Sequence, residues 1–525
     1  MLEYTTSVVI AGAGPAGLTL AHLLDSHGID SIVLEKLDKT IEEPRAIGID
    51  SESLRTHQAA NTLEDIAGEI YSEIDATQYL NADGKLLFEF DTLGLRPYGH
   101  EFFNTFDQAA FDRILANELP KREHARLWFN HELTGYQQDE EGITIEALNA
   151  DKQPIVIKAQ FLVGCDGGRS VIRQLIGATM TGDSNEFPWL VIDTVDPGYD
   201  SGPSSRFFCD PARPGMTIKK HHKQRRWEWM LMPGEEPEAL LDDDMINSLI
   251  APFTDPAQVD VFRKRVYNFS AIIADRWQDG RVFIAGDAAH MTPPFAGQGL
   301  NSGMRDVRNL SWKLAMVIKG KADRALLDTY QQERWQHAKD LIQFALDLGE
   351  QIQPIDPQKA AERDAFFFEL QKDPAGAEAF AEGMAQSILA RAIDSGIVIP
   401  NPECAVTGQL LPQPEVTCAD GNTLLLDELL GKEFSILGYN CDPEAEIDAD
   451  TLATWKALGA NFVAVSDHEN DNGWPVTCDA GLTEFFAGSS NKLVLLRPDK
   501  FCLASFNPEN ASTILPKAET LLQLR

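Results

Sequence analysis

A six-residue run near the start of the chain has the glycine spacing of a phosphate-binding turn. It reads GAGPAG at residues 12–17, after an apolar strand-like segment at 7–11 and before helical spacing at 18–27. In such a turn the first glycine bends the chain, the second admits a pyrophosphate and the third packs helix on strand. The N–H groups that begin the helix then face the phosphates. The residues predicted to contact phosphate are Gly12, Gly14, Pro15, Ala16 and Gly17.

An acidic residue ends the next predicted strand. Residues 32–34 are apolar, and Glu35 follows Gly17 by 18 positions. A carboxylate at this place accepts hydrogen bonds from ribose hydroxyls in dinucleotide-binding folds. Strand, turn, helix and acid together predict nucleotide binding, but they do not separate NAD from FAD. The alternative is a glycine turn with a purely structural role.

Two later motifs favour FAD. The strand-like segments 160–163 and 282–285 end in GCDGGRS at 164–170 and in GDAAH at 286–290. Asp287 is placed to hold a ribityl hydroxyl. The sequence PPFAGQGLN follows at 293–301, where Gly297 and Gly299 let the backbone approach a flat ring. The helix predicted from Asn301 directs its N-terminus at that ring, where it stabilises the negative charge of a reduced flavin.

At this point the chain resembles the class A flavoprotein aromatic hydroxylases with the p-hydroxybenzoate hydroxylase fold. The order and distances of the three motifs carry the resemblance. Longer strings resemble the 3-(3-hydroxyphenyl)propionate hydroxylases within that class, and they lie at residues 35–39, 44–50, 225–228, 232–235, 301–306 and 328–334. The resemblance covers nearly the whole chain and thins over residues 350–400.

The resemblance implies further site residues. Arg45 matches an arginine near the flavin pyrophosphate and is also expected to serve catalysis. Gln108, which opens a predicted helix at 108–119, matches a position that touches the cofactor, and Asp166 matches the acid of the second motif. The remaining cofactor contacts expected from the motifs are Lys36, Gly167, Gly286, Pro294, Leu300 and Asn301.

The resemblance also implies the reaction. NAD(P)H reduces FAD when a phenolic substrate is bound, and O₂ then forms a C4a-hydroperoxyflavin that hydroxylates the ring. The loop with Pro293 and Phe295 is expected to face the substrate, Pro293 as a catalytic element and Phe295 as a contact. This chain has Thr-Pro-Pro-Phe-Ala at 292–296, which departs from the hydroxyphenylpropionate enzymes and leaves the identity of the phenol open.

Residues 206–232 are expected to supply the wall opposite the flavin. Arg226 or Lys220 can pair with a substrate carboxylate. His222 can relay a phenolic proton, because histidine titrates near neutrality, or it can be an ordinary hydrogen-bonding residue. Trp229 can line the ring or belong to the core, and Tyr267 can hydrogen-bond a phenol.

The order of elements predicts an α/β fold. A Rossmann-like FAD-binding domain occupies residues 1–180 and 276–350, with substrate-domain strands near 76–105. A substrate-binding β-sheet domain is inserted at 181–275, a helical connector spans 351–399, and a thioredoxin-like domain without a CxxC pair follows at 400–525. The missing pair excludes dithiol redox chemistry there, so a packing role is expected.

Bulk composition excludes several classes of function. The net charge of −36 argues against nucleic acid and anionic membranes, which need clustered Lys and Arg. Seven dispersed cysteines show no zinc spacing, so no metal is expected, and they fit a reducing, cytoplasmic location. No apolar run approaches the roughly 20 residues of a membrane span. The expected partners are a small phenol and O₂, and the chain is expected to form a homodimer.

Two rival functions stay open. Hydroxylases of larger polyketide or polycyclic phenols share the same motifs and C-terminal domain. A flavin-binding partner protein without catalysis is the alternative from another class, although the intact loop at 293–301 argues against it.

Overall fold

The first strand of the glycine motif lies inside a parallel sheet, which explains its apolar sequence. In the computed structural model, Val8–Ala11 pairs with Phe161–Gly164 on one side and with Ser31–Glu35 on the other. Residues 8–10 are fully buried because both faces of the sheet are covered. Across this flavin sheet the order is Gln278–Asp279, Val282–Ile284, Phe161–Gly164, Val8–Ala11, Ser31–Glu35 and Ala125–Phe129.

The structure describes most of the chain. The described residues are 2–43, 45–72, 74–184, 187–195, 204–389, 391–401, 406–468, 472–477, 479–487 and 492–524. Pro44, at the start of the string 44–50, and Glu186, at the start of a predicted strand, lie outside the described residues. Cys404 and Cys478 also lie outside them.

The three glycine motifs meet at one edge of the flavin sheet. Their strands end at Ala11, Gly164 and Ile284 and run in parallel, so the turns that follow lie side by side. This edge, outside the carboxyl ends of parallel strands, is where open α/β sheets bind ligands. Helices Pro15–Ser26 and Gly299–Ile318 pack against each other beside it.

A second, seven-stranded sheet forms the other main layer; we call it the large sheet. Its strands, in spatial order, are Asp260–Tyr267, Trp189–Val195, Gln224–Met230, Gly215–Lys219, Ser205–Cys209, Ala76–Asn81 and Leu86–Asp91. The last two strands form a hairpin where the sequence shows one strand-like stretch, because a turn intervenes at residues 82–85. Three smaller sheets lie in the first 300 residues. One has four strands, Leu2–Thr5, Pro154–Ala159, Ile143–Leu148 and Glu132–Gln138. The other two have three strands each: Met180–Ser184, Ser270–Ala274 and His290–Met291 in one, and Gly48–Asp50, Phe103–Phe106 and Ile70–Tyr71 in the other.

Helices pack on the flavin sheet and on both faces of the large sheet. The longest is Thr329–Ile352, followed by two helices in the predicted connector, Pro357–Leu370 and Pro374–Ile388. Phe367 and Phe380 of the connector pack on Phe88 of the large sheet, so the connector forms part of the core. The other α-helices before residue 300 are Ser51–Ala59, Leu63–Ile66, Gln108–Glu118, Val171–Leu175, Pro237–Leu240 and Asp243–Ile250.

The C-terminal region has its own mixed sheet. Its strand order is Asn461–Val465, Ser435–Tyr439, Leu493–Leu496 and Cys502–Phe506, and a separate hairpin joins Glu415–Thr417 to Thr423–Leu425. The surrounding helices are Leu426–Leu430, Pro443–Glu446, Ala449–Leu458, Ala480–Ala487 and Ala511–Leu521. Burial raises the pKa of the Cys441 thiol, which keeps it protonated at neutral pH and unsuited to thiol exchange.

The described helices include none that is long and apolar enough to cross a bilayer. Over the same residues, no group of three or more His, Cys, Asp or Glu side chains is arranged to hold a metal ion. The domain boundaries given above stay a prediction.

Candidate active site

The three glycines of the first motif are required for different structural reasons. Gly12 adopts a φ of +104°, and a Cβ there would lie 2.4 Å from the carbonyl oxygen of Cys165. A Cβ on Gly17 would lie 2.1 Å from the carbonyl oxygen of Gly12, so helix and turn touch at this point. Around Gly14 a Cβ would meet nothing within 4 Å. The backbone is therefore open at Gly14, beside the start of helix Pro15–Ser26, as a phosphate site requires.

The carboxylate of Glu35 is fixed beside this turn. Its Oε2 accepts from the backbone N–H of Ala13 and its Oε1 from that of Leu37, both at 2.9 Å. Each oxygen keeps a further lone pair for a ligand hydroxyl. Lys36 is exposed at the same edge.

A buried amide holds the segment around Arg45. Gln108 Oε1 accepts from the backbone N–H of Ala46 at 2.8 Å, and Gln108 Nε2 donates to Asp112 Oδ2 at 3.2 Å. Burial raises the pKa of Asp112 to about 8, so this carboxyl is largely protonated at pH 7. The side chain of Arg45 is exposed, and its carbonyl accepts from Arg226.

The second motif turns into a helix through its acid. Asp166 Oδ1 accepts from the hydroxyl of Ser170 at 2.5 Å, and Oδ2 accepts from the N–H of Val171 at 2.7 Å. Asp166 therefore accepts from the first N–H groups of the helix Val171–Leu175, whose N-cap residue is Ser170. Gly167 next to it has a φ of +78° and open space around it.

A buried acid that sequence reasoning overlooked fixes the third motif. Asp306 accepts from the N–H of Gly286 at 3.1 Å and from Arg334 Nε at 3.0 Å, and it lies 2.7 Å from His290 Nε2. Those partners hold the pKa of Asp306 below its usual value, despite complete burial. The network leaves the carboxylate of Asp287 exposed at the end of its strand.

The loop after the third motif ends at the start of a long helix. A turn at Pro294–Ala296 follows Pro293, Gly297 has a φ of +64°, and helix Gly299–Ile318 begins two residues later. The helix therefore starts two residues before the predicted Asn301. As in any helix, the N–H groups of its first turn, including that of Leu300, have no intrahelical acceptor. The Asn301 side chain is buried and bonds to Asp50 N at 3.1 Å and to Gly297 O at 2.8 Å.

The loop faces the large sheet across an aromatic contact. Phe295 packs edge-on against Trp189 with ring centroids 5.6 Å apart and against Phe269 at 6.3 Å. Trp189 pairs directly with Met230 and with Tyr267, so the three share one face of the sheet. We call this the inner face, and the region where the loop meets it the chamber.

Two comparisons with known sequences identify the family. The family described as FAD binding domain matches residues 5–345, and the HcaD C-terminal domain matches residues 408–520. The chain is 35% identical over 518 residues to a 3-(3-hydroxy-phenyl)propionate/3-hydroxycinnamic acid hydroxylase of Burkholderia cenocepacia, covering 95% of this chain and 93% of that protein. An Escherichia coli K12 protein of the same name is 34% identical over 537 residues, covering 100% and 96%.

The chain belongs to the FAD-dependent aromatic hydroxylases. Solved structures agree on the fold at lower identity. The flavin-dependent monooxygenase PieE, solved with FAD and substrate, has a TM-score of 0.81 at 18% identity and covers 99% of this chain and 100% of its own. Aklavinone-11 hydroxylase, solved with FAD and aklavinone, has a TM-score of 0.80 at 22% identity with the same coverage. The α/β fold, the FAD cofactor and the class of aromatic monooxygenase are thus confirmed.

The described residues fit the flavin of this hydroxylase family. The open backbone at Gly14, the anchored Glu35, the exposed Asp287 and the first turn of helix Gly299–Ile318 all lie at the carboxyl edge of the flavin sheet. They offer donors for phosphates, acceptors for hydroxyls and a positive helix end for the ring.

Two residues that were predicted to contact FAD use their side chains for hydrogen bonds within the protein instead. Asp166 was expected to bind FAD, but both of its oxygens accept from residues 170–172. Asn301 was expected to do the same, yet its amide ties residues 48–50 to the loop at Gly297. Only the backbone of Asn301 remains available to the flavin ring.

The predicted substrate residue Trp229 is wrong, because it lies on the outer face of the large sheet. Side chains alternate along a strand, so Arg226 and Trp229, three positions apart, point to opposite sides. Trp229 is buried and stacks on Trp227 at 5.7 Å, within the cluster that contains Leu240. It belongs to the core, the other interpretation of the sequence.

His222 does not reach the chamber either. It lies in the turn after Gly215–Lys219, is exposed, and adopts a φ of +58°. Its ring contacts that of His221 at 3.9 Å. The expected proton relay by His222 is therefore corrected.

Arg226 lies on the inner face but already has a carboxylate partner. Its Nε and one terminal nitrogen donate to the two oxygens of Asp193 at 2.8 and 3.0 Å, a bidentate pair that is almost fully buried. Lys220, the other candidate, donates to Asp107 at 3.0 Å. The strand position of Arg226 was readable from the sequence, but the acidic partners of Arg226 and Lys220 were not.

We expect Asp287→Ala to weaken FAD binding by roughly 10- to 100-fold, since a hydrogen bond to a charged group contributes about 1.5–3 kcal/mol. The exposed carboxylate at the carboxyl edge has no structural role in the described contacts that the change would disturb. Flavin content after purification and titration of the apoprotein with FAD measure the effect. Asp151→Ala, at an exposed turn, is the matched control. Full flavin retention by Asp287→Ala would contradict the assignment.

Proposed function

We propose that this enzyme hydroxylates a 3-(3-hydroxyphenyl)propionate-like acid, using NAD(P)H and O₂, in the breakdown of aromatic compounds. The observation that carries the proposal is the chamber, where the flavin-side loop meets an aromatic wall. The rings of Phe295 and Trp189 pack edge to face at 5.6 Å beside Met230, so the wall next to the loop is apolar and aromatic, which suits contact with a phenolic ring. The names of the full-length relatives support the same substrate class.

Bound FAD would supply the redox chemistry, taking electrons from NAD(P)H and activating O₂ for transfer of one oxygen atom to the ring. The residues proposed to hold it are those of the glycine turn, Glu35, Lys36, Arg45, Gln108, Gly167, Gly286, Asp287, Pro294, Gly297, Gly299, Leu300 and the backbone of Asn301. The free N–H groups in the first turn of the helix that begins at Gly299 would stabilise negative charge on the ring.

The chamber residues would orient the phenol and exclude water. Phe295 and the loop at Pro293 close one side, and the inner face of the large sheet closes the other. Burial raises the pKa of Tyr267, so its hydroxyl stays protonated and can donate a hydrogen bond to a phenolic oxygen. An enclosed site strengthens each of these polar contacts and protects the activated oxygen from side reactions.

A larger phenol without a carboxylate is the second candidate substrate. It is favoured by the pairing of Arg226 with Asp193, which commits the buried guanidinium that a propionate group would seek. A homodimer and a cytoplasmic location are further proposals from the sequence alone.

The experiment compares oxidation of NADH and NADPH with 3-(3-hydroxyphenyl)propionate, 3-phenylpropionate and 3-ethylphenol. The second compound lacks the hydroxyl and the third lacks the carboxylate. We expect the hydroxyphenyl acid alone to stimulate oxidation strongly and to give a product heavier by about 16 mass units, one oxygen atom. Equal turnover of 3-ethylphenol would favour the larger, uncharged phenol. No stimulation by any phenol, in protein with full flavin content, would reject both.

A further inference from the structure

A buried carboxyl on the inner face of the large sheet accepts no hydrogen bond from the described part of the chain. Glu228 is in the strand Gln224–Met230, two residues from Arg226 and two from Met230, so all three lie on the inner face. It pairs across the sheet with Val191 on one side and Met216 on the other. Along its own strand, the nearest side chains on the same face are the charged Arg226 and the apolar Met230.

Glu228 differs from the other acid on this face. Asp193 receives two hydrogen bonds from Arg226, whereas the nearest approach of Arg226 to Glu228 Oε1 is 3.8 Å. No hydrogen bond reaches the carboxyl of Glu228 from the residues that the structure describes. The side chain keeps 6% of its exposure. One guanidinium therefore serves two acids, and only Asp193 is fully paired.

The two acids consequently titrate in different ranges. Arg226 and Lys220 hold the pKa of Asp193 below its usual value. Burial, reinforced by the charge of Asp193, raises the pKa of Glu228 to about 7, and Arg226 offsets this only in part. A base is most effective when its pKa is near the working pH.

We propose that Glu228 is a catalytic residue that accepts the phenolic proton of the substrate. The inference rests on the proposed function, because it needs a phenol in the chamber. In the step, the phenolic O–H bond breaks, its electron pair stays on the oxygen, and the proton bonds to a carboxylate oxygen of Glu228. The phenolate donates electrons to its ring carbons more strongly than the phenol does, which favours transfer of an oxygen atom to the ring.

Charge on the inner face is balanced for this transfer. The cations Arg226, Lys220 and Arg263 face the acids Asp193, Asp107 and ionised Glu228, three against three. When Glu228 takes the proton, the wall gains one positive charge beside the new phenolate. The other groups around the chamber are Tyr267, Arg265 paired with Glu43, and Arg45.

The other candidate bases around the chamber fit the role less well. The pKa of Tyr267 is raised, so it stays protonated at neutral pH. Asp193 is held in the ionised form by Arg226, which makes it a weak base. His222 is on an exposed turn.

The test compares Glu228→Gln and Glu228→Asp with the wild-type holoenzyme, using 3-(3-hydroxyphenyl)propionate in single-turnover hydroxylation across pH 6–9. We expect the wild-type rate to rise with pH through about 7, because the ionised carboxylate is the active form. Glu228→Gln should slow hydroxylation by about 100-fold and lose that rise, while Glu228→Asp should keep it at a reduced rate. Flavin content and the melting temperature verify folding.

The outcomes separate this inference from the proposed function. If Glu228→Gln keeps both its rate and the rise near pH 7, the inference is overturned and the substrate stands. If the wild type hydroxylates no phenol, the proposed function fails first. A folding defect in Glu228→Gln would leave Glu228→Asp to decide: loss of the pH dependence in a folded aspartate variant also overturns the inference.

Discussion

Gly12→Ala is expected to yield protein without FAD and with reduced stability. A residue with a side chain at a φ of +104° is strained, and its Cβ would lie 2.4 Å from a backbone oxygen that cannot move without shifting the sheet edge. The turn would have to open, and the phosphate site would open with it. Flavin absorbance of the purified protein and its melting temperature measure the two effects.

Gly14→Ala separates cofactor binding from folding. A Cβ at this position meets nothing within 4 Å, so the apoprotein should melt like the wild type. The same Cβ would enter the space predicted for the pyrophosphate and should weaken FAD binding at least about tenfold, or about 1.4 kcal/mol. Gly84→Ala, in an exposed turn with a φ of +74°, is instead the control for the backbone strain of Gly12→Ala. Unchanged FAD affinity in Gly14→Ala would contradict the pyrophosphate assignment.

Glu333→Gln is expected to destabilise the enzyme by about 3–5 kcal/mol, the usual result of removing one member of a buried ion pair. Glu333 Oε2 accepts from Lys313 at 2.7 Å and from Arg497 at 2.8 Å, and all three side chains are fully buried. Its Oε1 accepts from the N–H of Ile397 at 2.8 Å. Neutral glutamine leaves Lys313 buried beside a cation without its counter-charge.

The same carboxylate should make stability sensitive to acid. Lys313 and Arg497 hold the pKa of Glu333 at about 2, against 4.5 for the ordinary side chain. Since the folded pKa is the lower one, the stabilisation is complete above about pH 4.5 and is lost as the pH falls towards 2. A difference of about 2.5 units corresponds to roughly 3 kcal/mol.

Thermal unfolding at pH 7 and at pH 4 tests this prediction. The melting temperature of Glu333→Gln should fall well below that of the wild type at pH 7, and the gap should narrow at pH 4. Glu350→Gln, on the exposed side of the same helix, should change little. A Glu333→Gln variant as stable as Glu350→Gln would show that the network contributes nothing to the junction with the C-terminal region.

The amino-acid sequence by itself determined the flavin half of this protein. Strand, turn and helix of the first motif follow from local spacing, and Gly12, Gly14 and Gly17 differ in the way that their places in the motif require. Such signals are local, because backbone conformation and side-chain period depend on near neighbours. The two-residue alternation of a strand was also readable from the sequence. Because Arg226 and Trp229 are three positions apart, their side chains cannot lie on the same face of the sheet.

Only the tertiary structure decided which charges meet. Asp193 lies 33 residues from Arg226, and Glu333 lies 164 residues from Arg497, yet each pair is in contact and buried. The sequence around one partner does not predict the other, since the pairing depends on how sheets and helices pack. The same packing placed Glu228 beside a paired acid with no hydrogen bond from the residues described, put His222 on an exposed turn, and buried Trp229 in the core. Desolvation then set the chemistry of each group, because burial penalises a charge unless a partner is near.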